Sequence, residues 1–545
     1  MNSYQLRPNW RAYAWLGAIG IVIYLLVQVV PQTSESFFDT NNKKVIAKNE
    51  AERIAEDFAV QQFKQLPEST HAVHQSDTML YGYLSKEKLV DAYDKKYDSR
   101  FPTDTFQTMA AMPDGSTIFI YVHMQNGKIL AWNQYKQRHT TVPQPNEATD
   151  AAFKFAVSQG FKAEELTLFK TDQKQGKVWY TVSGAVMKEA QLMLELRTGK
   201  TDTGELVINE YKPGFTVPGS YKSYVKAQQD LASILSLLGS ILLSFVLFIL
   251  AIVYAALYRK HSSFKRGVVL SLLFLGMYLA NDFNLMDGLI ASSGEDPNAL
   301  AYAAINVGIT CIVTIIMGLA VYFSLVGGDG LWNAMGRRMW PRMSEPGYGD
   351  HVWRSMWLGY LIAFMLLGLQ TVIFILLVNV TGAWSTTDVT QSPYNLGVLW
   401  IFPMLAWCAA ISEEAVYRFF AIGIFKKWFN NTFVASLIPT VIWALGHVTY
   451  PIFPSTTRLL ELTVLGLIFS FMFLRFGFMT VVFAHAIFDS IMMALSLIFT
   501  GSPGNILMGI IYILLPIPIA WLLRYLHRKK KGTEPFVTVP PSTLQ

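Results

Sequence analysis

The chain has 545 residues, a net charge of +6, 52% apolar residues and only 15% charged ones. That balance excludes an ordinary soluble domain, and Lys/Arg clusters set beside apolar runs argue against a nucleic-acid-binding surface. Two cysteines, Cys311 and Cys408, both within apolar runs, exclude a disulfide framework, a thiol protease and a Cys-rich zinc site.

Ten apolar segments are each near the ~20 residues that ~30 Å of hydrocarbon requires. They span 13–30, 231–257, 267–283, 301–325, 353–380, 397–420, 432–450, 459–474, 478–499 and 505–526. The first follows a short tail, 1–12, that carries Arg7 and Arg11. No small-residue cleavage site comes after it, so it reads as an uncleaved anchor.

Residues 31–229 have the polarity of a soluble domain. Inside them Asn49-Glu50-Ala51 and Phe58-Ala59-Val60 recur 97 residues later as Asn146-Glu147-Ala148 and Phe155-Ala156-Val157. Both stretches have helical spacing, and the alternating segments 116–123 and 177–182 read as strands. Two related α+β units are expected, serving either as a binding or sensing module or as a passive ectodomain.

Four further spans fill 230–395, a cluster of chemistry-bearing spans fills 396–500, and one span closes at 501–526 before a basic tail, 527–545. Alternate loops hold the basic residues: Arg259, Lys260, Lys265 and Arg266, then Arg337, Arg338 and Arg342, then Lys426 and Lys427, then Arg475, then Arg524 and 528–531. The other loops hold Asp287, Glu295, Asp296 and Asp388, with Arg458 as the exception. The positive-inside rule then puts both termini in the cytoplasm of a cell-membrane protein and residues 31–229 outside it. The fold class expected is an all-α polytopic membrane protein, of about ten transmembrane helices, with an inserted extracytoplasmic α+β domain.

An ionisable side chain in hydrocarbon costs about 3 kcal/mol on insertion scales, so a cluster of them is a functional hypothesis by default. Glu413, Glu414 and Arg418 lie in the sixth segment, His447 in the seventh, and His485 and Asp489 in the ninth. Glu414 and Arg418, four apart, share a helix face and can pair. Glu413 is turned by about 100° from Glu414 and can face the bundle interior. His485 and Asp489 are also four apart. Peptide hydrolysis needs a water, a base and an oxyanion donor. Glu413 suits the base, His447 the orientation of that water, and His485 the donor.

The sequence Glu413-Glu414-Ala-Val-Tyr-Arg418 resembles the EExxxR signature of the CAAX protease and bacteriocin-processing (CPBP) family of intramembrane proteases. Trp443-x-x-x-His447 resembles its FxxxH motif, with Trp for Phe, and His485-Ala-Ile-Phe-Asp489 its HxxxN/D motif. The resemblance covers about 100 residues, from Leu399 to Leu497. It implies a glutamate-dependent peptidase with a site near the cytoplasmic half of the membrane, acting on membrane-associated protein or peptide substrates. By that analogy Glu413 and His447 activate water while His485 and Asp489 hold the oxyanion. A metal-dependent version would use Glu413, His447 and His485 as ligands to a divalent cation such as zinc; a version with no cofactor uses water alone.

Asp489 stands where Asn is the natural oxyanion donor, so it must be protonated, orient His485, or bind metal. Trp443 is expected to alter packing only. Straight helices put His447 about 22 Å from the inner boundary and His485 about 10 Å from it. A non-catalytic immunity or partner-binding protein on the same scaffold and a proton- or ion-coupled transporter are the alternatives. Gly347-Tyr348-Gly349-Asp350 matches the GxGD string of intramembrane aspartyl proteases, but it sits in a polar loop with no partner Tyr-Asp pair and is set aside.

Overall fold

The computed structural model describes residue 6 and residues 8–31, 45–135 and 140–531. Arg7, residues 32–44 and the tail beyond residue 531, parts of the expected tails and exterior domain, lie outside the described residues.

All ten apolar segments are helical, but not all are spans. Among the described residues eight helices are long and apolar enough to cross a membrane: α1 (Trp10–Val29), α5 (Gly219–Leu257), α6 (Arg266–Asn284), α7 (Ala299–Ala334), α8 (Tyr348–Thr381), α9 (Leu399–Phe429), α11 (Thr456–Phe476) and α12 (Phe478–Ile498). The last segment is a pair, α13 (Pro503–Leu514) and α14 (Pro516–Lys531), bent by 45°. Pro516 supplies the cause, since it has no N–H to give to the preceding turn. The expected seventh span corrects most. α10 (Thr432–Leu445) has 14 residues, about 21 Å of helix. It stops at Gly446, so Gly446–Tyr450 leave the helix in turns instead of completing a crossing. Among the described residues the count is therefore eight, or nine if the bent pair is one span, where about ten were expected.

Between α1 and α5 lies an antiparallel sheet domain. Its strands are β1 (Ser69–Ser76), β2 (Asp104–Ala111), β3 (Thr117–His123), β4 (Ile129–Tyr135), β5 (Thr140–Thr141), β6 (Leu166–Asp172), β7 (Lys177–Met187), β8 (Ala190–Thr201) and β9 (Leu206–Thr216). The order is β1-β2-β3-β4-β9-β8-β7-β6, with β5 beside β8. Each half is a helix followed by an antiparallel meander, and the halves join where β4 pairs β9. Helix α2 (Lys48–Phe63) covers the first meander, α3 (Thr78–Glu87) follows β1 and packs on the bundle loop at Trp384–Ser385, and α4 (Pro145–Ser158) covers the second. Ala51, Ala55 and Ala59 of α2 and Ala148, Ala152 and Ala156 of α4 are all buried. Alanine every fourth residue gives each helix a smooth face that approaches the sheet closely. One continuous core contains both helices.

The sheet domain stands on one end of the helix bundle. Asp287 accepts from Lys48 at 2.6 Å and contacts His71 at 3.0 Å. Glu295 accepts from Tyr121, Asn133 and Lys212. Asn395, fully buried, brackets the backbone of His74, accepting from its N–H at 2.7 Å and donating to its carbonyl at 2.9 Å. The basic loops meet one another at the opposite end. Arg266 pairs with Asp329 and donates to the carbonyls of Trp340 and Pro341, and Arg524 and Arg528 clamp Asp350 of the GxGD string.

Candidate active site

Helix α9 changes character at its glutamates. Met404–Glu413 is α-helical, Glu414–Ala421 is π-helical, and Ile422–Phe429 returns to α. A π-turn widens the helix and leaves carbonyls poorly satisfied, and such turns recur at functional sites. Here the Phe419 carbonyl takes the indole N–H of Trp332 at 2.7 Å. The turn begins between the two carboxylates and helps to send them to different partners.

Glu414 is fully buried. Its Oε1 lies 2.7 Å from His485 Nδ1 and 3.1 Å from an Arg418 nitrogen. The Arg418 guanidinium is itself 1% exposed and its nitrogens meet no well-aligned acceptor. It lies instead 4.4 Å from the Trp443 ring and 5.4 Å from Phe469, where aromatic faces attract a desolvated cation. The expected Glu414–Arg418 pair is present, and Glu414 has a second task in holding His485.

Glu413 faces the other way, into the site. Its Oε1 is 3.7 Å from His447 Nε2 and its Oε2 is 3.8 Å from His485 Nε2. Trp443 donates its indole N–H to Glu413 Oε2. The expectation that Trp for Phe alters packing only is therefore wrong, because this Trp adds a hydrogen-bond donor to the carboxylate. The signal was available in the residue type: a buried indole N–H needs an acceptor, and Trp443 lies one helical turn before His447.

His447 Nδ1 is 3.0 Å from the Trp443 carbonyl, which fixes the ring with Nε2 toward Glu413. His485 is held on three sides. Glu414 takes Nδ1, Asp489 Oδ2 lies 3.3 Å from Nε2, and Phe469 stacks on the ring at 4.8 Å. Phe469 carries no mark in the sequence that separates it from any other core aromatic. All six expected residues, Glu413, Glu414, Arg418, His447, His485 and Asp489, thus fall in one cluster. The 12 Å depth mismatch expected of straight helices is absent, since His447 and His485 both come within 4 Å of Glu413.

Glu413, His447 and His485 have the donor chemistry that zinc takes. Among the described residues no group of three or more His, Cys, Asp or Glu side chains is set in the geometry of a bound cation. Glu413 closes a 10-residue helical stretch, about 15 Å long, near the middle of the 31-residue α9.

The fold and the buried cluster define a multi-pass membrane protein with an ionisable site inside its helix bundle. Residues 395–491 match the family described as type II CAAX prenyl endopeptidase Rce1-like, so the segment that carries the site is a domain of the CPBP type. Over 89 residues the chain is 27% identical to the sporulation-killing factor biosynthesis protein SkfC of Bacillus subtilis (strain 168). That match covers 16% of this chain and 18% of the relative, so this chain spans about a fifth of that protein's length. No solved structure matches the chain.

Proposed function

We propose that the protein is an intramembrane endopeptidase that hydrolyses peptide bonds of membrane-associated proteins or peptides with a water activated by Glu413 and His447. The observation that carries this reading is a glutamate with an imidazole nitrogen on either side, at 3.7 and 3.8 Å. Those separations exceed a direct hydrogen bond, so the three groups are not consumed by one another and can address a water and a carbonyl between them. Glu413 takes a proton from the water as its oxygen bonds to the carbonyl carbon. His447, anchored through Nδ1, orients that water through Nε2. His485 presents Nε2–H to the developing oxyanion, and the proton held by Glu413 passes to the amine nitrogen as the C–N bond breaks.

Of the three options for Asp489, orienting His485 agrees best with its 3.3 Å approach to Nε2. Glu414 and Arg418 are positioning residues that meet no substrate. The family is typically one of proteases, and the SkfC name links one relative to making a killing factor; both support hydrolysis of a peptide client.

The test uses purified full-length protein in nanodiscs with a library of single-span peptides, and mass spectrometry to read cleavage. Glu413→Gln is expected to lower kcat by at least a hundredfold and His447→Ala by a similar factor, the usual scale for general-base catalysis. A binding-only protein on this scaffold would keep its ligand with Gln at 413, whereas proton-coupled flux through the reconstituted protein would mark a transporter. Cleavage at the wild-type rate in both variants would remove these residues from the mechanism. A chelator arm reports whether a divalent cation takes part.

A further inference from the structure

Directly above the site, where the sheet domain meets the bundle, is a cavity of about 670 Å³. Its floor is made by Leu399 and Phe402 at the start of α9, Ser496 of α12, and Tyr450 in the turn after α10; its roof is made by His74 and Asp104 of the sheet domain, and its wall by 387–396. Tyr450 connects it to the site, with its ring 5.5 Å from that of His447. Glu413, His447 and Asp489 all keep some exposure, with side chains 19%, 19% and 16% accessible, whereas Glu414 and Arg418 are sealed on the other side.

The lining has a definite chemistry. It contains two carboxylates, Asp104 and Asp388, four aromatic rings, Tyr81, Tyr394, Phe402 and Tyr450, and among the described residues no Lys or Arg. Asp104 leaves 40% of its side chain open although His74 Nε2 sits 3.0 Å from it. Burial opposes its charge, but the hydrogen bond and charge of His74 and donors on Ser76 and Thr103 hold its carboxyl below the ordinary range, so it is ionised at neutral pH. Arg458 stands 5.2 Å from the Tyr450 ring, but both oxygens of Glu461 hold it at 2.9 Å. His74 already engages Asp104, but Asp388 has no Lys or Arg beside it in the lining among the described residues, and carboxylates with aromatic faces are the surroundings that select Lys or Arg side chains.

We infer that this cavity is the substrate's way in: it binds an extended, Lys- or Arg-bearing segment that emerges from the membrane on the sheet-domain side, and delivers the adjoining peptide bond to Glu413. The inference rests on the peptidase reading for the fate of the bound segment, but not for its binding. Asp104 and Asp388 set the charge preference, and Tyr394 and Tyr450 flank the chain. The sheet domain thereby becomes one wall of the substrate site.

The test measures binding and cleavage separately, with full-length protein in neutral phosphatidylcholine nanodiscs. Binding of two fluorescent single-span peptides, one with a Lys-Lys flank and one with a Glu-Glu flank, is read by anisotropy on the Glu413→Gln variant. The Lys-Lys peptide is expected to bind at least tenfold tighter, and Asp388→Asn, on an exposed loop, to shrink that preference severalfold. Asp104→Asn should do the same, but its contact with His74 makes it the less clean variant. A third arm replaces both native cysteines, introduces Gln125→Cys at the cavity rim, and attaches a polyethylene glycol maleimide, which should block binding. Equal binding of the two peptides, or binding that survives the attached polymer, overturns the inference. A Lys-Lys peptide that binds as expected but is not cut by the wild type would count against the hydrolase and leave the cavity assignment standing.

Discussion

At the scale of single residues, the site is organised by which oxygen of which glutamate each neighbour takes. Trp443 gives its N–H to Glu413 Oε2 while its ring lies under the Arg418 guanidinium. One side chain thereby aligns the base and shields a cation that would otherwise be buried bare. Trp443→Phe keeps an aromatic face but deletes the donor. A hydrogen bond to a charged group is worth about 1.5–3 kcal/mol, so kcat is expected to fall about tenfold or more as Glu413 gains freedom. KM and the thermal unfolding midpoint should change little, because Phe still covers Arg418. Parallel kinetics and thermal melts check this; a raised KM with kcat intact would assign Trp443 to substrate binding instead. Arg418 behaves differently, since removing it leaves Glu414 charged, buried and short of a partner, a loss that ordinarily costs 3–5 kcal/mol.

At the scale of elements, the sequence was informative where periodicity and charge decide, and silent where backbone geometry does. Glu413, Glu414, His447 and His485 were legible because ionisable residues in apolar runs stand out, and i,i+4 spacing placed Arg418 and Asp489 beside their partners. The π-turn over Glu414–Ala421 left no trace, because Ala-Val-Tyr-Arg-Phe-Phe is compatible with an ordinary helix and only packing against Trp332 draws the Phe419 carbonyl out. The early end of α10 was misread, since Gly446-His447-Val448 is apolar enough to extend a span on composition alone. Packing of α10 on α11 now makes a sharp prediction. A Cβ at Gly466 would come within 2.6 Å of Thr440 Cγ2 and 2.9 Å of the Trp443 ring. Gly466→Ala must push α10 outward or tilt the indole, and overpacking of this kind costs about 1–3 kcal/mol. Both responses pull the indole away from Glu413, so kcat should drop about tenfold beyond any loss of folded protein, measured as activity per folded molecule. Unchanged turnover would mean that the indole contact with Glu413 is not needed for chemistry.

At the scale of the whole molecule, the sheet domain is held over the site by apolar packing, Val73 against Ile290 and Ala303 and Tyr221 beside Trp384, and by polar contacts. Asp287 with Lys48 and His71, Glu295 with Tyr121, Asn133 and Lys212, and Asn395 with the His74 backbone supply the polar part. The pH dependence of that docking follows from Asp287. Burial works against its charge, yet hydrogen bonds from His71 and Lys48 and the Lys48 charge hold its carboxyl below the usual range. A carboxyl lowered in the docked state stabilises docking at every pH above its ordinary value of about 3.9, and that contribution disappears as pH falls through the lowered value. The part of docking that Asp287 itself supplies is therefore expected to persist from neutrality down to about pH 4 and to weaken only below it. The His74 amide, which donates to Asn395 across the junction, is the reporter, through its hydrogen-exchange protection factor. Asp287→Asn should reduce that protection already at neutral pH and make it less dependent on acid. Because the same domain roofs the cavity above Glu413, the variant should also lose selectivity for a basic flank before it loses turnover of a neutral peptide. Protection lost between pH 7 and 5 would transfer control of the junction to a group other than this carboxylate.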